Sequence, residues 1–349
     1  MLPAALDLYT WVAAGPRDDG LLQVQFRRHG EPLEIDPGRL EPAGDGRPAE
    51  YVKGVAWALQ QEGARLVGCN LVVGGDIPLG GGLSSSASLE LALAWALLER
   101  SGLRLPRDRL AQVCRRAEAE FVGMPCGLMD QYAVALGRAG HAMHLDCRSL
   151  ELEYVRVPPE AAFLVVHSGV SHRLHAGGYG RRRAECAAAL DVLRAAIPGL
   201  ASLRDLSPGQ LEEHAGSLEP RLHRRCRHVV SENRRVAAAC DALRAADLAR
   251  LGELLDASHA SLRDDYEVSC PEVDRLVQIA REQPGVSGSR MMGGGFGGCT
   301  ISVVEVGTVR EAAAGIAESY GRVLGRRPWM HVAGPAGPVA AWEDSDETG

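Results

Sequence analysis

The residues best suited to chemistry begin at Gly80-Gly81-Gly82-Leu83-Ser84-Ser85-Ser86, between a β-like run at 66–73 and a helical run at 89–98 that is apolar nearly all round. A strand, a glycine turn and a helix start follow one another. Three glycines let the backbone approach a ligand closely, and the serines add cap hydroxyls and unbonded N–H groups at the positive end of a helix dipole. That combination suits an anionic phosphate. No Gly-Lys-Ser/Thr follows, so the loop is not of the Walker type. Taken by itself, such a run is more often a structural turn with a serine cap.

Two carboxylates come next. Pro106 and Asp108 open a helix whose apolar face carries Leu110, Cys114, Ala117 and Phe121, and Glu118 borders that face while Glu120 falls on the solvated side. On the residues alone, Glu118 either pairs with an arginine such as Arg115, the commoner outcome, or ligates a metal. Asp130 falls in the first turn of a short helix at 128–136, where a carboxylate complements the helix N-terminus. Arg181-Arg182-Arg183 opens a later helix and reads as a solvated face, with a phosphate contact as the alternative. A second glycine-rich run, Gly293-Gly294-Gly295-Phe296-Gly297-Gly298, feeds a strand at 300–306 and reads as a tight loop or hairpin pressed against something.

The elements that must position these residues are mixed. Runs at 6–14 and 21–28 are β-like, with a turn-rich spacer that predicts a hairpin; 32–49 reads as a loop and 51–61 as a helix. Strands are expected at 141–146 and 162–166, and helices through 206–281, with Pro271 opening a new one. With 349 residues, 46% hydrophobic content and a net charge of −7, the chain is an ordinary globular protein with no expected nucleic-acid or membrane partner. Nine cysteines without a C-x-x-C pair read as free thiols in a reducing compartment. No leader and no apolar run near ~20 residues is evident, so a cytoplasmic location is expected.

Two glycine-rich runs flanking Gly123-Met124-Pro125-Cys126-Gly127-Leu128-Met129-Asp130-Gln131 make a pattern more specific than any part. It resembles the family of galactokinase, homoserine kinase, mevalonate kinase and phosphomevalonate kinase, and within it the galactokinases of animal type, over about residues 2–335. The similarity includes Tyr51-Val52-Lys53-Gly54-Val55, Leu145-Asp146-Cys147-Arg148-Ser149 and Asp264-Asp265-Tyr266-Glu267-Val268-Ser269-Cys270-Pro271. The resemblance implies a two-domain α/β plus α+β kinase fold with its active site in the interdomain cleft. The expected boundaries are 1–158 for an ATP- and sugar-binding domain and 159–349 for a C-terminal kinase domain with a frayed tail.

By the same resemblance the reaction passes the γ-phosphoryl group of MgATP to the anomeric hydroxyl of galactose. Gly80, Gly81, Gly82, Ser84, Ser85 and Ser86 would hold the triphosphate, with Ser86 and Glu118 at magnesium. Asp130 would be the general base, Gly127 and Tyr179 would contact the sugar, and Gly293 to Gly298 would brace the phosphate loop. A monomer is expected. An inactive ATP-binding regulatory homologue and an N-acetylgalactosamine kinase are the alternatives. Galactokinases carry an N-terminal signature, Gly-Arg-Val-Asn-Leu-Ile-Gly-Glu-His-Thr-Asp-Tyr, just before the segment that residues 2–8 resemble. The chain is therefore expected to be truncated at its start and, as written, to turn over little. Pro48 in place of a tryptophan and Met292 in place of a threonine are smaller departures.

Overall fold

A computed structural model describes residues 1–27, 29–78, 80–124, 126–170 and 178–341, with the side chains of His29 and Tyr179 outside the description. The chain divides into two compact units. An N-terminal unit takes its described residues from Pro3–Pro78, Ser84–Tyr154 and Pro335–Gly349; a C-terminal unit takes them from Met1–Leu2, Leu79–Leu83 and Val155–Gly334.

The N-terminal unit begins with β1 (Thr10–Pro16), β2 (Leu22–Phe26) and β3 (His29–Ile35), followed by α1 (Pro48–Gln61) and β4 (Cys69–Gly75). The strand order is β1-β4-β2-β3. The hairpin expected between the first two runs is therefore not formed: β4 lies between them, antiparallel to β1 and parallel to β2. Cys69, Leu71 and Val73 of β4 alternate inward and are almost wholly buried, and a strand with such a row gains most from a neighbour on each side. The expected loop at 32–49 is corrected at its start, because β3 pairs with β2 through Ile35 opposite Leu22. Pro32 is tolerated there because it falls at the register shift between the Val24–Leu33 and Phe26–His29 pairs of an edge strand.

Behind this sheet lie α2 (Ser85–Ser101), α3 (Arg107–Arg116), a π-helical turn (Ala117–Phe121) and α4 (Met129–Leu136). Val52, Val55 and Leu59 of α1 and Leu91, Leu93 and Leu97 of α2 share one core with Leu22, Val24 and Leu71. Each fully buried leucine or valine contributes about 1.5–3 kcal/mol. Gly102, at φ +69°, ends α2 in the left-handed cap that glycine favours. A two-stranded sheet of β5 (His141–Leu145) and β6 (Leu152–Arg156) follows.

The C-terminal unit holds β7 (Ala161–His167), α5 (Gly178–Ala196), α6 (Pro208–Glu213), α7 (Pro220–Arg244), α8 (Leu248–Asp264) and α9 (Pro271–Arg281). It continues with β8 (Val286–Met291), β9 (Cys299–Glu305), α10 (Val309–Leu324) and β10 (Met330–Ala333). The antiparallel sheet runs β10-β7-β9-β8, and Leu164, Val166 and Val304 pack against Leu276, Ile279, Ile316 and Tyr320 of α9 and α10. None of the nine cysteines is in a disulfide. Among the described residues no helix is long and apolar enough to cross a membrane.

Ion pairs fix the segment between α8 and α9. Arg225, fully buried on α7, donates to Glu185 Oε2 (2.7 Å), Glu267 Oε2 (2.6 Å) and the Asp265 carbonyl (2.5 Å). Arg182 donates to the carbonyls of Tyr266 (2.5 Å) and Glu267 (2.8 Å). The solvated face expected for the arginine run thus holds only for Arg181 and Arg183. Arg182 is buried because backbone carbonyls and Glu185 supply the acceptors that water would otherwise provide.

His228 stacks on Tyr266 (centroids 4.4 Å apart) and meets Ser261 Oγ at 3.0 Å. Burial lowers its pKa from 6.5 to about 4, outweighing Glu232, which raises it. A buried neutral histidine contributes stability above pH 6.5 that is lost as pH falls towards 4, because the unfolded chain then binds the extra proton. The loss approaches about 3 kcal/mol. Urea unfolding of His228→Gln should therefore fall less steeply than wild type between these pH values; parallel curves would remove His228 as the cause.

Candidate active site

The first glycine run passes from one unit to the other between Leu83 and Ser84. Within the C-terminal unit, Gly80 and Gly82 both have φ +71°, a conformation that side chains disfavour. The Gly81 carbonyl accepts the Cys299 N–H at 2.9 Å, so the second glycine run backs the first. Gly293, at φ +65°, stands so close that a Cβ there would lie 2.9 Å from the Gly82 oxygen. The second run is anchored in turn by Phe296 N–H to the Val268 carbonyl (2.6 Å) and Gly298 N–H to the Val170 carbonyl (2.9 Å). Val268 belongs to the segment pinned through Arg225. A chain of contacts therefore leads from that buried cluster to the glycine loop.

On the other side of Leu83, Ser84 is the N-cap residue of α2 but makes no side-chain cap bond and sits at φ +53°, strained for a non-glycine residue. Its hydroxyl lies beside the Asp130 carboxylate and favours the charged form. The expected serine cap is corrected to this extent: the hydroxyl serves a carboxylate rather than the helix. The first intrahelical bond of α2 is Ser88 N–H to the Ser84 carbonyl (3.1 Å), which leaves the amides of Ser85, Ser86 and Ala87 ahead of it at the helix N-terminus.

Glu118 lies in the π-helical turn that closes α3, where Val122 N–H reaches back to the Ala117 carbonyl at 3.0 Å. The wider turn places Glu118 inside, 7% exposed, and leaves Glu120 outside, 3.5 Å from Arg116. Turns of this kind recur at functional sites. The side chain that bonds Glu118 is Gln131, whose Nε2 donates to Glu118 Oε2 at 2.7 Å, and not the expected Arg115. Gln131 is fully buried and also donates to Oε2 of fully buried Glu90 at 3.1 Å.

Negative charge is concentrated here. Burial, then the charge of Glu118, raises the Asp130 pKa against the neighbouring Ser84 hydroxyl, which lowers it. Burial and the charges of Glu118 and Asp130 raise Glu90 well above the usual carboxylate range, opposed by the bond from Gln131. The Cys126 thiol is pushed up to about 12 by burial and by Glu118. Such a constellation accepts a proton at Asp130 and attracts a cation at Glu118. No group of three or more His, Cys, Asp or Glu side chains forms a metal cage among the described residues. Any hard cation would take its other ligands from hydroxyls, phosphate oxygens or water.

The structure thus brings together Ser84, Glu118 and Asp130 of the residues named from sequence, and separately packs the bracing run on Gly81 and Gly82. Gly127 is exposed and open on its Cβ side. Tyr179 lies in the first turn of α5, with its side chain outside the described residues, as is Pro125. Sequence reasoning missed Glu90 and Gln131. Glu90 had a signal, as the one acid among the apolar residues at 89–98; Gln131 had none beyond its place beside Asp130.

Comparison with known proteins adds independent findings. The models for the GHMP kinases N terminal domain and the GHMP kinases C terminal match residues 50–138 and 239–322. A galactokinase of Roseiflexus sp. (strain RS-1) is 42% identical over 334 residues, 95% of this chain and 85% of that protein. The Homo sapiens galactokinase is 45% identical over 334 residues, 92% and 82% of the two chains. The crystal structure of Lactococcus lactis galactokinase complexed with galactose superposes with a TM-score of 0.91 at 33% identity, covering 96% of this chain and 87% of that one. A mevalonate kinase of L. major, in complex with R-mevalonate, shares the fold with a TM-score of 0.64 at 20% identity, over 96% and 89% of the two chains.

Proposed function

The chain belongs to the galactokinases of the GHMP kinase family, and we infer from this that it transfers the γ-phosphoryl group of ATP to the anomeric hydroxyl of galactose, giving galactose 1-phosphate. The observation that supports the assignment most is the convergence of Ser84, Glu118 and Asp130 from three segments of one unit. Asp130 accepts the hydroxyl proton as the sugar oxygen bonds to the γ-phosphorus and the bond to ADP breaks. The Ser84 hydroxyl beside Asp130 favours its charged form, and burial strengthens the carboxylate as a proton acceptor. The amides of Ser85 and Ser86 and the backbone of Gly80 to Gly82 cradle the triphosphate. The resemblance assigns the sugar contacts to Gly127 and, by its place in the sequence, to Tyr179.

Magnesium, bound with the nucleotide, supplies charge neutralisation for the phosphate oxygens. The donors fit it: Glu118 offers a buried carboxylate and Ser86 a hydroxyl, both hard oxygen ligands, in a region where the charge of Glu118 raises the pKa of both Glu90 and Asp130. A panel of galactose, N-acetylgalactosamine and glucose tests the sugar assignment, with kcat/KM expected to be highest for galactose. Preference for N-acetylgalactosamine would overturn it.

The brace gives a second prediction. Gly293→Ala forces a side chain into the left-handed region and against the Gly82 oxygen, a strain of about 1–2 kcal/mol. Nucleotide binding is expected to weaken up to about tenfold. Gly209→Ala, where nothing lies within 4 Å, serves as the control. Equal nucleotide affinity in both variants, measured by calorimetry, would separate the brace from the phosphate site.

A further inference from the structure

We propose that Glu90 is a positioning residue that acts through Gln131 to hold Glu118 in the orientation needed for the divalent cation. The proposal rests on the magnesium assignment above. It starts from a residue that packing does not explain. Glu90 is fully buried on α2 among Leu91, Leu93, Ala94 and Leu97, and its Oε1 has no hydrogen-bond partner. An unpartnered buried oxygen is destabilising, and a leucine would avoid that cost while extending the apolar helix. The other oxygen of the carboxyl group is the one with a partner.

That other oxygen accepts one N–H of Gln131, and the second N–H of the same amide goes to Glu118 Oε2. Both donors of one side chain are committed to two carboxyl groups. The orientation of the amide is thereby fixed, because flipping it would set Gln131 Oε1 against two acceptor oxygens. Gln131 Oε1 is itself buried and unpartnered, so no competing bond turns the amide elsewhere. Glu90 holds one hydrogen-bond axis, and Glu118 is held at the end of the other. Without Glu90 the amide keeps only its bond to Glu118, and the orientation of that carboxylate is selected less firmly. Glu90 also lies four residues after Ser86, one helical turn along the same face of α2, so one helix positions the hydroxyl and the anchor behind the carboxylate.

The test uses Glu90→Leu, Glu90→Gln, Gln131→Leu and the double variant Glu90→Leu/Gln131→Leu. Loss of such an outer hydrogen bond lowers metal affinity or activity about 10- to 100-fold. Half-saturating magnesium is expected to rise by that factor in Glu90→Leu and Gln131→Leu, with the galactose KM unchanged. Calorimetry of a non-hydrolysable ATP analogue, with and without magnesium, should show the magnesium-dependent tightening reduced in both. Glu90→Gln should recover most of the loss, since its amide oxygen accepts the same N–H. The double variant should be no worse than either single one. Unchanged magnesium dependence in the leucine variants, failure of Glu90→Gln to rescue, or additive losses would overturn the proposal. Should Glu90→Leu fail to fold, Gln131→Leu and Glu90→Gln decide it. If wild type binds MgATP but phosphorylates no sugar, the activity assignment fails while the binding measurements still decide the role of Glu90.

Discussion

Replacing Asp130 with asparagine is expected to lower kcat for galactose by about 10²- to 10⁴-fold, the range contributed by a positioned general base. Asparagine matches aspartate in shape and can keep its place beside the Ser84 hydroxyl, so the first turn of α4 and the strained N-cap of α2 should stay in place. What disappears is the capacity to take a proton. Nucleotide affinity should remain near wild type, because the residues assigned to the triphosphate lie in the glycine loop and the first turn of α2. Single-turnover product formation and calorimetric binding of an ATP analogue together check this. A variant with normal kcat, or one that loses nucleotide binding, would assign Asp130 a different role.

Glu118→Ala is the second large effect. The carboxylate is buried in the π-helical turn with one oxygen held by Gln131, so its loss removes the anionic ligand proposed for magnesium and leaves an amide N–H without its acceptor. Metal-borne charge stabilisation is worth several kcal/mol, so kcat should fall about 10²-fold or more, with partial recovery at high magnesium. The fold should survive, because removing the charge that raises the pKa of Glu90 and Asp130 offsets part of the lost hydrogen bond. Activity unaffected by the substitution, or equally low at every magnesium concentration with intact nucleotide binding, would remove Glu118 from the metal site.

The parts of this site that were legible in the sequence are those set by local backbone chemistry. Gly80 and Gly82 need left-handed angles, Asp130 is placed by the short helix behind Gly127, and the second glycine run announces a close approach that the Gly81–Cys299 bond realises. Non-local pairing was not legible. β1 and β2 follow one another and read as a hairpin, yet β4, more than forty residues beyond β2, takes the place between them because it carries the buried row. Glu118 could be set at the edge of an apolar stripe, but periodicity of 3.6 cannot reveal a π-helical turn, and it was that turn that decided burial. Arg182 resembled its neighbours in sequence; only the carbonyls of Tyr266 and Glu267, more than eighty residues on, distinguish it.

The most direct measurement is phosphorus NMR of the protein carrying the galactokinase N-terminal signature ahead of residue 1, incubated with galactose and MgATP. A sugar-phosphate signal coupled to the anomeric proton, growing in step with ADP and absent with Asp130→Asn, is the expected result. ADP formed without a sugar phosphate, a phosphate on another hydroxyl, or nucleotide binding with no transfer would each contradict a galactose 1-kinase built on Asp130.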